Sequence, residues 1–229
     1  MIELLDPQKI DRIAYEEGVL QKIGNYSLLP EKRIGWNYCM DYTWLAMRCI
    51  GYLKPGMRVV DIGCGPGAIH GYLESEYGVD IIGIDLHRWE RDYVDIVGDF
   101  CDPQIRKDNN FIDESIDCIL STSAFEHNSV RKHRELVNTC LRQLKKNGRL
   151  ITTLTASPRW TRRTDDHWDL SRSRIEKIYG EEFKEFDYQR IWQHWHNHRE
   201  LRDNYLRRYG KWSWKDPRFI SVGADITKT

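Results

Sequence analysis

The stretch VVDIGCGPGAIHGYL, from Val59 to Leu73, decides how the rest of the chain is read. A short apolar run ends in Asp61, glycines follow at 63, 65 and 67, and a helix-like pattern begins at once. Glycine tolerates positive φ and lets a ligand approach the main chain where a side chain would stand in the way. In an open parallel sheet, ligands bind at the carboxyl ends of the strands, near the point where strand order reverses. The stretch therefore predicts a strand, a ligand-contacting turn and a helix.

Outward from this unit, short apolar runs alternate with amphipathic segments. RVVDIG, DIIGID, YVDIVGD, SIDCILST and RLITTLTA predict strands; AIHGYLESEYG and HRELVNTCLRQLKKNG predict helices, the second stopped at Lys-Lys-Asn-Gly. Strands that are apolar on both faces and separated by helices imply a parallel sheet covered on both sides. Residues 1–54 predict an N-terminal helical segment, with Pro7 in a first turn and NYCMDYTWLAMRCIGYL as a second helix. Near the other end, SRSRIEKIYG and HWHNHRELRDNYLRRYG predict helices. EEFKEFDYQRIW alternates enough for a strand, with a helix as the alternative, and RFISVGADITKT predicts a terminal strand. The fold class is α/β, a doubly wound, mostly parallel sheet of about seven strands. Residues 55–229 form its main domain, and residues 158–218 are a late insertion.

With 229 residues the chain has room for one sizeable domain. Its 35 basic and 35 acidic residues cancel, which argues against a phosphate backbone as partner, since such binding scales with basic contacts. The six cysteines, at 39, 49, 64, 101, 118 and 140, form no CxxC pair and sit in apolar or helix-like runs, as reduced buried thiols do. The N-terminus shows no basic targeting region, and no window approaches the ~18 apolar residues of a membrane span. These features predict a cytoplasmic protein with no membrane partner.

What ligand suits the glycine turn? A second strand, IIGID, ends in Asp85, whose carboxylate can accept both hydroxyls of a ribose. A dinucleotide site uses the same logic, an acid ~20 residues beyond the glycines, and GCGPGA fits G-x-G-x-x-A. Three features point away from NAD. Asp61 stands just before the glycines, Pro66 lies within the turn, and the next strand ends in Gly98-Asp99-Phe100. The last supplies an acid and an aromatic at the same sheet edge, suited to an adenine amino group and ring face.

With VVDIGCGPGA, IIGIDLH, VGDFCD and DCILSTSAFEHN in this order, residues 55–156 resemble class I S-adenosylmethionine-dependent methyltransferases of the small-molecule, type 11-like branch, whose signature is DxGCGxG. The resemblance implies S-adenosylmethionine as cofactor, a Rossmann-like methyltransferase fold, and a final strand that is antiparallel and inserted near the sheet edge. It also implies roles for residues. Asp61, Gly63, Cys64 and Gly65 would line the methionine moiety, Asp85 would hold the ribose, and Leu86 would pack on adenine. Asp99 would accept from the adenine amine, with the Phe100 main chain beside it. Ser121 to Ala124 would form the edge beneath the sulfonium.

Methylation of a hydroxyl also needs a base. Glu126-His127 follows the fourth predicted strand, and His127 is one candidate; Asp165-Asp166-His167-Trp168 follows the fifth, and His167 and Asp166 are others. Each has a plain alternative, as scaffold for the first pair and solvated loop for the second. Where exocyclic-amine methyltransferases carry Asn-Pro-Pro-aromatic this chain has Ser-Thr-Ser-Ala, which weakens nucleobase methylation.

Residues 158–218 hold 12 aromatics, 15 Lys/Arg and 11 Asp/Glu, a mixture that can stack on sugar faces or on bases. One reading is a substrate cap for a small acceptor such as a sugar, with Trp36, Tyr38, Tyr42 and Trp44 adding to its roof. The other is an insertion that packs and supports a homodimer. His194 and His198 have the spacing of a two-His metal site but no third ligand between them, so no metal is expected. Trp192 and Trp195 are expected in the core or a lid. The sequence thus predicts methyl transfer to a small polar acceptor, a sugar hydroxyl in particular. RNA or protein methylation, a non-catalytic S-adenosylmethionine sensor and an NAD-dependent oxidoreductase are the rivals.

Overall fold

The computed structural model of the protein describes residues 1–11, 13–14, 17–28, 38–90, 92–157, 161–164, 167–199 and 220–229, with main chain only for 161–164 and 167–169. Strand β1 (Ile2–Leu4) opens the chain and is followed by three helices, α1 (Pro7–Asp11), α2 (Val19–Gly24) and α3 (Tyr38–Cys49). The glycine unit is β2 (Arg58–Ile62) and α4 (Ala68–Tyr77), followed by β3 (Asp80–Asp85), β4 (Ile96–Val97) and α5 (Pro103–Asp108). Next come β5 (Ile116–Thr122), a single 3-10 turn at Phe125–His127, α6 (Val130–Gln143) and β6 (Leu144–Ala156). The hairpin β7 (Thr161–Thr164) and β8 (His167–Asp169), helices α7 (Arg172–Tyr179) and α8 (Tyr188–Asn197), and β9 (Ile220–Thr227) complete it.

One seven-stranded sheet runs in the order β1-β9-β6-β5-β2-β3-β4. β2 pairs in parallel with both β3 and β5, and β6 in parallel with β5; β9 is antiparallel to β6 and to β1. The chain winds outward one way through β3 and β4 and the other way through β5 and β6. Strand order therefore reverses between β2 and β5, directly above the glycine turn. The central strands are nearly all buried because helices cover both faces. The doubly wound fold and the antiparallel, near-edge β9 agree with the sequence expectation.

Local signals set the helix ends. Asp102 caps α5 by accepting from Gln104 N–H, with Pro103 in the first turn, and Gly78 ends α4 in the left-handed conformation. On α6 the buried positions His133, Leu136, Val137 and Cys140 form an i, i+3, i+4, i+7 stripe against the sheet. Each large apolar side chain so buried contributes about 1.5–3 kcal/mol.

Several expectations are corrected. The N-terminal segment is not wholly helical, because Ile2–Leu4 adds the seventh strand to β9. EEFKEFDYQRIW is not a strand: Phe183 alone forms a bridge, to Ile2, and α8 begins at Tyr188. The apolar residues Tyr188, Ile191, Trp192 and Trp195 have helical spacing, and all are buried, so the helical period overrides the short alternation before it. YVDIVGD yields a strand only at Ile96–Val97. The Lys-Lys-Asn-Gly segment continues β6 rather than ending a helix, with Asn147 at φ 64.

Trp192 and Trp195 are core residues, and Trp195 Nε1 donates to Leu5 O at 2.7 Å. All six cysteines are free and buried. No helix among the described residues is long and apolar enough to cross a membrane.

Candidate functional site: a crevice at three strand ends

Asp61, Asp85 and Asp99 stand at or just beyond the carboxyl ends of three neighbouring strands, β2, β3 and β4. Between β2 and α4 the main chain turns through Gly63 (φ 72) and Gly65 (φ 44), a conformation L side chains rarely adopt. A Cβ on Gly63 would lie 2.3 Å from that of Ala124, so this glycine is what lets the turns after β2 and β5 meet. Gly63 N–H is bound to Ile84 O at 2.7 Å, which pins the turn to β3.

Asp85 is the hub. Its Oδ2 accepts from Gly65 N–H at 3.2 Å and its Oδ1 from His87 N–H at 3.0 Å. Each carboxylate oxygen has further acceptor capacity, so the two can still receive a pair of vicinal hydroxyls. Leu86 and Trp89 beside it are more than half exposed, at 58% and 51%. A Cβ on Gly65 would lie 3.5 Å from Trp89 Nε1 and 3.8 Å from Asp85 Oδ2, so indole and carboxylate flank the same bare main chain. Trp89 carries no motif and was not anticipated from the sequence.

Asp99 is held by Lys132 of α6 at 2.9 Å and accepts from Cys101 N–H at 2.8 Å. Partial burial would raise its pKa, but the lysine and the N–H outweigh that and lower it, so it remains an ionised acceptor. The Phe100 ring corrects an expectation. It is buried against Phe111, with centroids 5.6 Å apart, so it serves the core. Cys64 likewise turns its side chain inward, with Sγ 3.5 Å from Tyr93 O. Burial pushes that thiol up, and the charges of Asp61 and Asp85 push it further. Ser121 is fully buried and donates to Ile62 O at 2.8 Å, tying β5 to β2; its hydroxyl is structural.

Over the glycine turn lies α3. Tyr38 and Tyr42 stack with ring centroids 5.4 Å apart. A Cβ on Gly67, just before α4, would lie 3.2 Å from the Tyr42 hydroxyl oxygen, which places that hydroxyl beside the start of the helix. Burial and the nearby Tyr38, Asp61 and Asp41 raise the Tyr42 pKa, so it stays a neutral phenol. A tyrosine thus occupies the helix N-terminus at which a dinucleotide site would bind pyrophosphate. Trp44 instead turns toward β9, where Gly223 leaves room for its ring, and Trp36 lies outside the described residues.

Beyond the crevice, Ser123 follows β5 at φ 47, a left-handed conformation that costs a non-glycine residue about 1 kcal/mol or more. Its hydroxyl donates to the buried Asp41 of α3 at 2.9 Å. Strain at this point aims the end of β5 at the roof helix. The adjacent Glu126 and His127 part company, Glu126 being fully buried and His127 exposed. Below them His133, Tyr179 and Thr152 form a buried polar chain, with both contacts to the tyrosine oxygen at 3.1 Å. Asp166 lies outside the described residues, and His167 is placed by its main chain alone, opposite Thr164 in the β7–β8 hairpin. His194 and His198 do not converge; they pair with Asp6 at 2.8 Å and Asp11 at 2.7 Å.

The strand order, the acids at successive strand ends and the glycine turn define the class I S-adenosylmethionine-dependent methyltransferase fold. The donor set fits an adenosyl sulfonium compound: carboxylates for hydroxyls, amine and ammonium, and bare main chain between them. Residues 46–185 match the family model of mycolic acid cyclopropane synthetase, and the chain belongs to that family.

Among individual proteins, the chain is 32% identical over 97 residues to cyclopropane-fatty-acyl-phospholipid synthase of Escherichia coli, covering 42% of this chain and 25% of that protein. It is 36% identical over 80 residues to cyclopropane mycolic acid synthase 2 of Mycobacterium bovis, covering 33% of this chain and 26% of that protein. The match thus spans about a quarter of each of these relatives. The fold is shared with phosphoethanolamine N-methyltransferase 2 of Haemonchus contortus, solved with S-adenosylhomocysteine (TM-score 0.58, 20% identity, 96% of this chain and 59% of that one). It is also shared with geranyl diphosphate C-methyltransferase of Streptomyces coelicolor (TM-score 0.59, 14% identity, 90% and 84%).

Proposed function

We propose that this chain transfers a methyl group from S-adenosylmethionine to a small polar acceptor, a hydroxyl of a sugar or similar metabolite. The observation that carries the cofactor reading is the crevice of Asp61, Asp85 and Asp99 around a turn whose helix N-terminus is taken by Tyr42. When bound, the cofactor supplies an activated methyl on its sulfonium, so the protein's part is alignment, exclusion of water and removal of a proton from the acceptor. The stacked Tyr38 and Tyr42 of α3 lie on the acceptor side in this reading, held there by the buried Ser123–Asp41 contact, and aromatic and phenolic groups suit a hydroxylated molecule. His127 is the proposed base, at the exposed mouth of the turn after β5; His167 and Asp166 are proposed alongside it, and residues 158–218 as the cap over the acceptor. Cytoplasmic residence and a homodimer belong to the same proposal.

The family favours a second reading, an unsaturated lipid as acceptor, since two relatives are named as cyclopropane synthases. The deciding experiment supplies S-adenosylmethionine with sugars and nucleotide sugars, small phenols, phosphoethanolamine, or vesicles of unsaturated phospholipid, and follows formation of S-adenosylhomocysteine. Turnover with a hydroxylated metabolite supports the first reading, and turnover with vesicles alone replaces it with the second. No heat on titrating S-adenosylhomocysteine, with a response to NADH, removes both.

A further inference from the structure

We infer that His70, which lines no part of the crevice, is a positioning residue for Asp61, linking the carboxylate that faces the cofactor to Glu74 at the outer surface. The inference rests on the cofactor reading above.

Asp61 is 2% exposed and His70 3%. A carboxylate withdrawn from water is stable as an ion only when paired. Among the described residues, the titratable groups beside Asp61 are Tyr42 of α3, Cys64 of the turn and His70 of α4. Of these only His70 can carry positive charge. Its Nδ1 lies 3.5 Å from Asp61 Oδ2, and its Nε2 lies 3.5 Å from Glu74 Oε1. With a carboxylate at each nitrogen, only the imidazolium satisfies both; either neutral tautomer turns a lone pair toward one of them.

The ring is fixed as well as paired. It stacks on Tyr93, with centroids 4.7 Å apart and planes at 16°. Tyr93 in turn donates to Tyr26 O at 2.6 Å and fills the space left by Gly71, where a Cβ would lie 2.5 Å from its hydroxyl oxygen. Burial alone would lower the His70 pKa, but the neighbouring carboxylates of Asp61, Glu74 and Asp95 raise it overall. Glu74 and His70 both line a depression of about 650 Å³, with Tyr93, Asp92, Asp95 and Arg88. His70 and Glu74 are one helical turn apart, so α4 holds the whole relay rigid. The result is a charged acceptor, fixed in direction, at the point where the ammonium of the cofactor's amino-acid end would meet it.

Calorimetry with S-adenosylhomocysteine tests this in the full chain. His70→Ala is expected to weaken binding by about tenfold, because the buried carboxylate loses the positive group beside it. An asparagine amide sits where Nδ1 was and can still donate to Asp61, whereas a glutamine amide reaches where Nε2 was. An amide restores a donor but not the charge, so His70→Asn is expected to recover part of the loss and His70→Gln to remain weak. In an Asp61→Asn background, His70→Ala should cause no further loss, since coupled residues are not additive. Melting temperatures identify any variant that fails to fold, and the Asn/Gln comparison stands even if the alanine variant is lost. Equal affinities for the Asn and Gln variants, or additive losses in the double variant, overturn the role of His70 while leaving the cofactor reading intact. A wild-type protein that does not bind S-adenosylhomocysteine overturns both.

Discussion

Asp85 accepts a hydrogen bond from the main-chain N–H of Gly65, at 3.2 Å, so the acid at the end of β3 and the glycine turn after β2 are a single unit. The proposed ribose acceptor is thereby also a brace for the turn on which the cofactor's amino-acid end would lie. Its direction is set before any ligand arrives, which lowers the cost of binding.

Asp85→Ala is expected to lower S-adenosylhomocysteine affinity by at least about tenfold, since two hydrogen bonds to a carboxylate are lost at roughly 1.5 kcal/mol or more each. Asp85→Asn, which keeps one acceptor oxygen, should fall between alanine and wild type. Calorimetric affinities that do not change would count against the crevice as the cofactor site.

Gly63→Ala forces a side chain into a left-handed residue and against the Ala124 Cβ at 2.3 Å. The variant should lose on the order of 1–3 kcal/mol of stability, read from denaturant unfolding, along with ligand binding. Adding Ala124→Gly opens the contact but not the backbone strain, so it should restore part of the loss. A second substitution without effect would show that the two turns do not press on each other.

Trp89 is half exposed beside Asp85 and Gly65. An indole in that position changes solvent exposure when an adenosyl group covers the turn. Ligand addition should shift tryptophan emission, and Trp89→Phe should remove most of the shift while the fold, followed by circular dichroism, is retained. A shift of full size in the variant would assign it to another tryptophan.

His133 supplies a pH prediction. Burial alone pushes it down to about 3, so it is neutral in the folded protein, whereas in the unfolded chain it titrates near ~6.5. Between these values the unfolded state binds the extra proton. The stability the neutral ring contributes is complete above about 6.5 and is lost as pH falls toward 3, with a slope of up to ~1.4 kcal/mol per pH unit. His133→Gln should unfold less steeply with acid below pH 6. Parallel curves for the two proteins would refute the assignment.

Much of this architecture was legible in the chain itself because its signals are local. The β2–turn–α4 unit follows from an apolar run, alternate glycines and helical spacing, and the acids at 61, 85 and 99 mark the ends of successive strands by position alone. The misreadings occurred where a local pattern was short. Three residues at the N-terminus are too few to show a strand period, so Ile2–Leu4 becomes a strand only because β9 offers an edge. Phe100 and Ser121 were legible as residues near the crevice but not as side chains facing the core, since a turn just beyond a strand can present either face.

Sequence by itself determined the parallel sheet, the glycine turn and the acid at each strand end, because strand and helix periods and the conformational freedom of glycine act over a few neighbouring residues. Tertiary structure alone decided that Tyr42 meets the start of α4, that Ser123 reaches Asp41, that His194 pairs with Asp6, and that His70 stands between Asp61 and Glu74 on a stack with Tyr93. The physical reason is that a buried polar group must find a partner wherever packing places one, and most of these partners come from segments far apart in the chain.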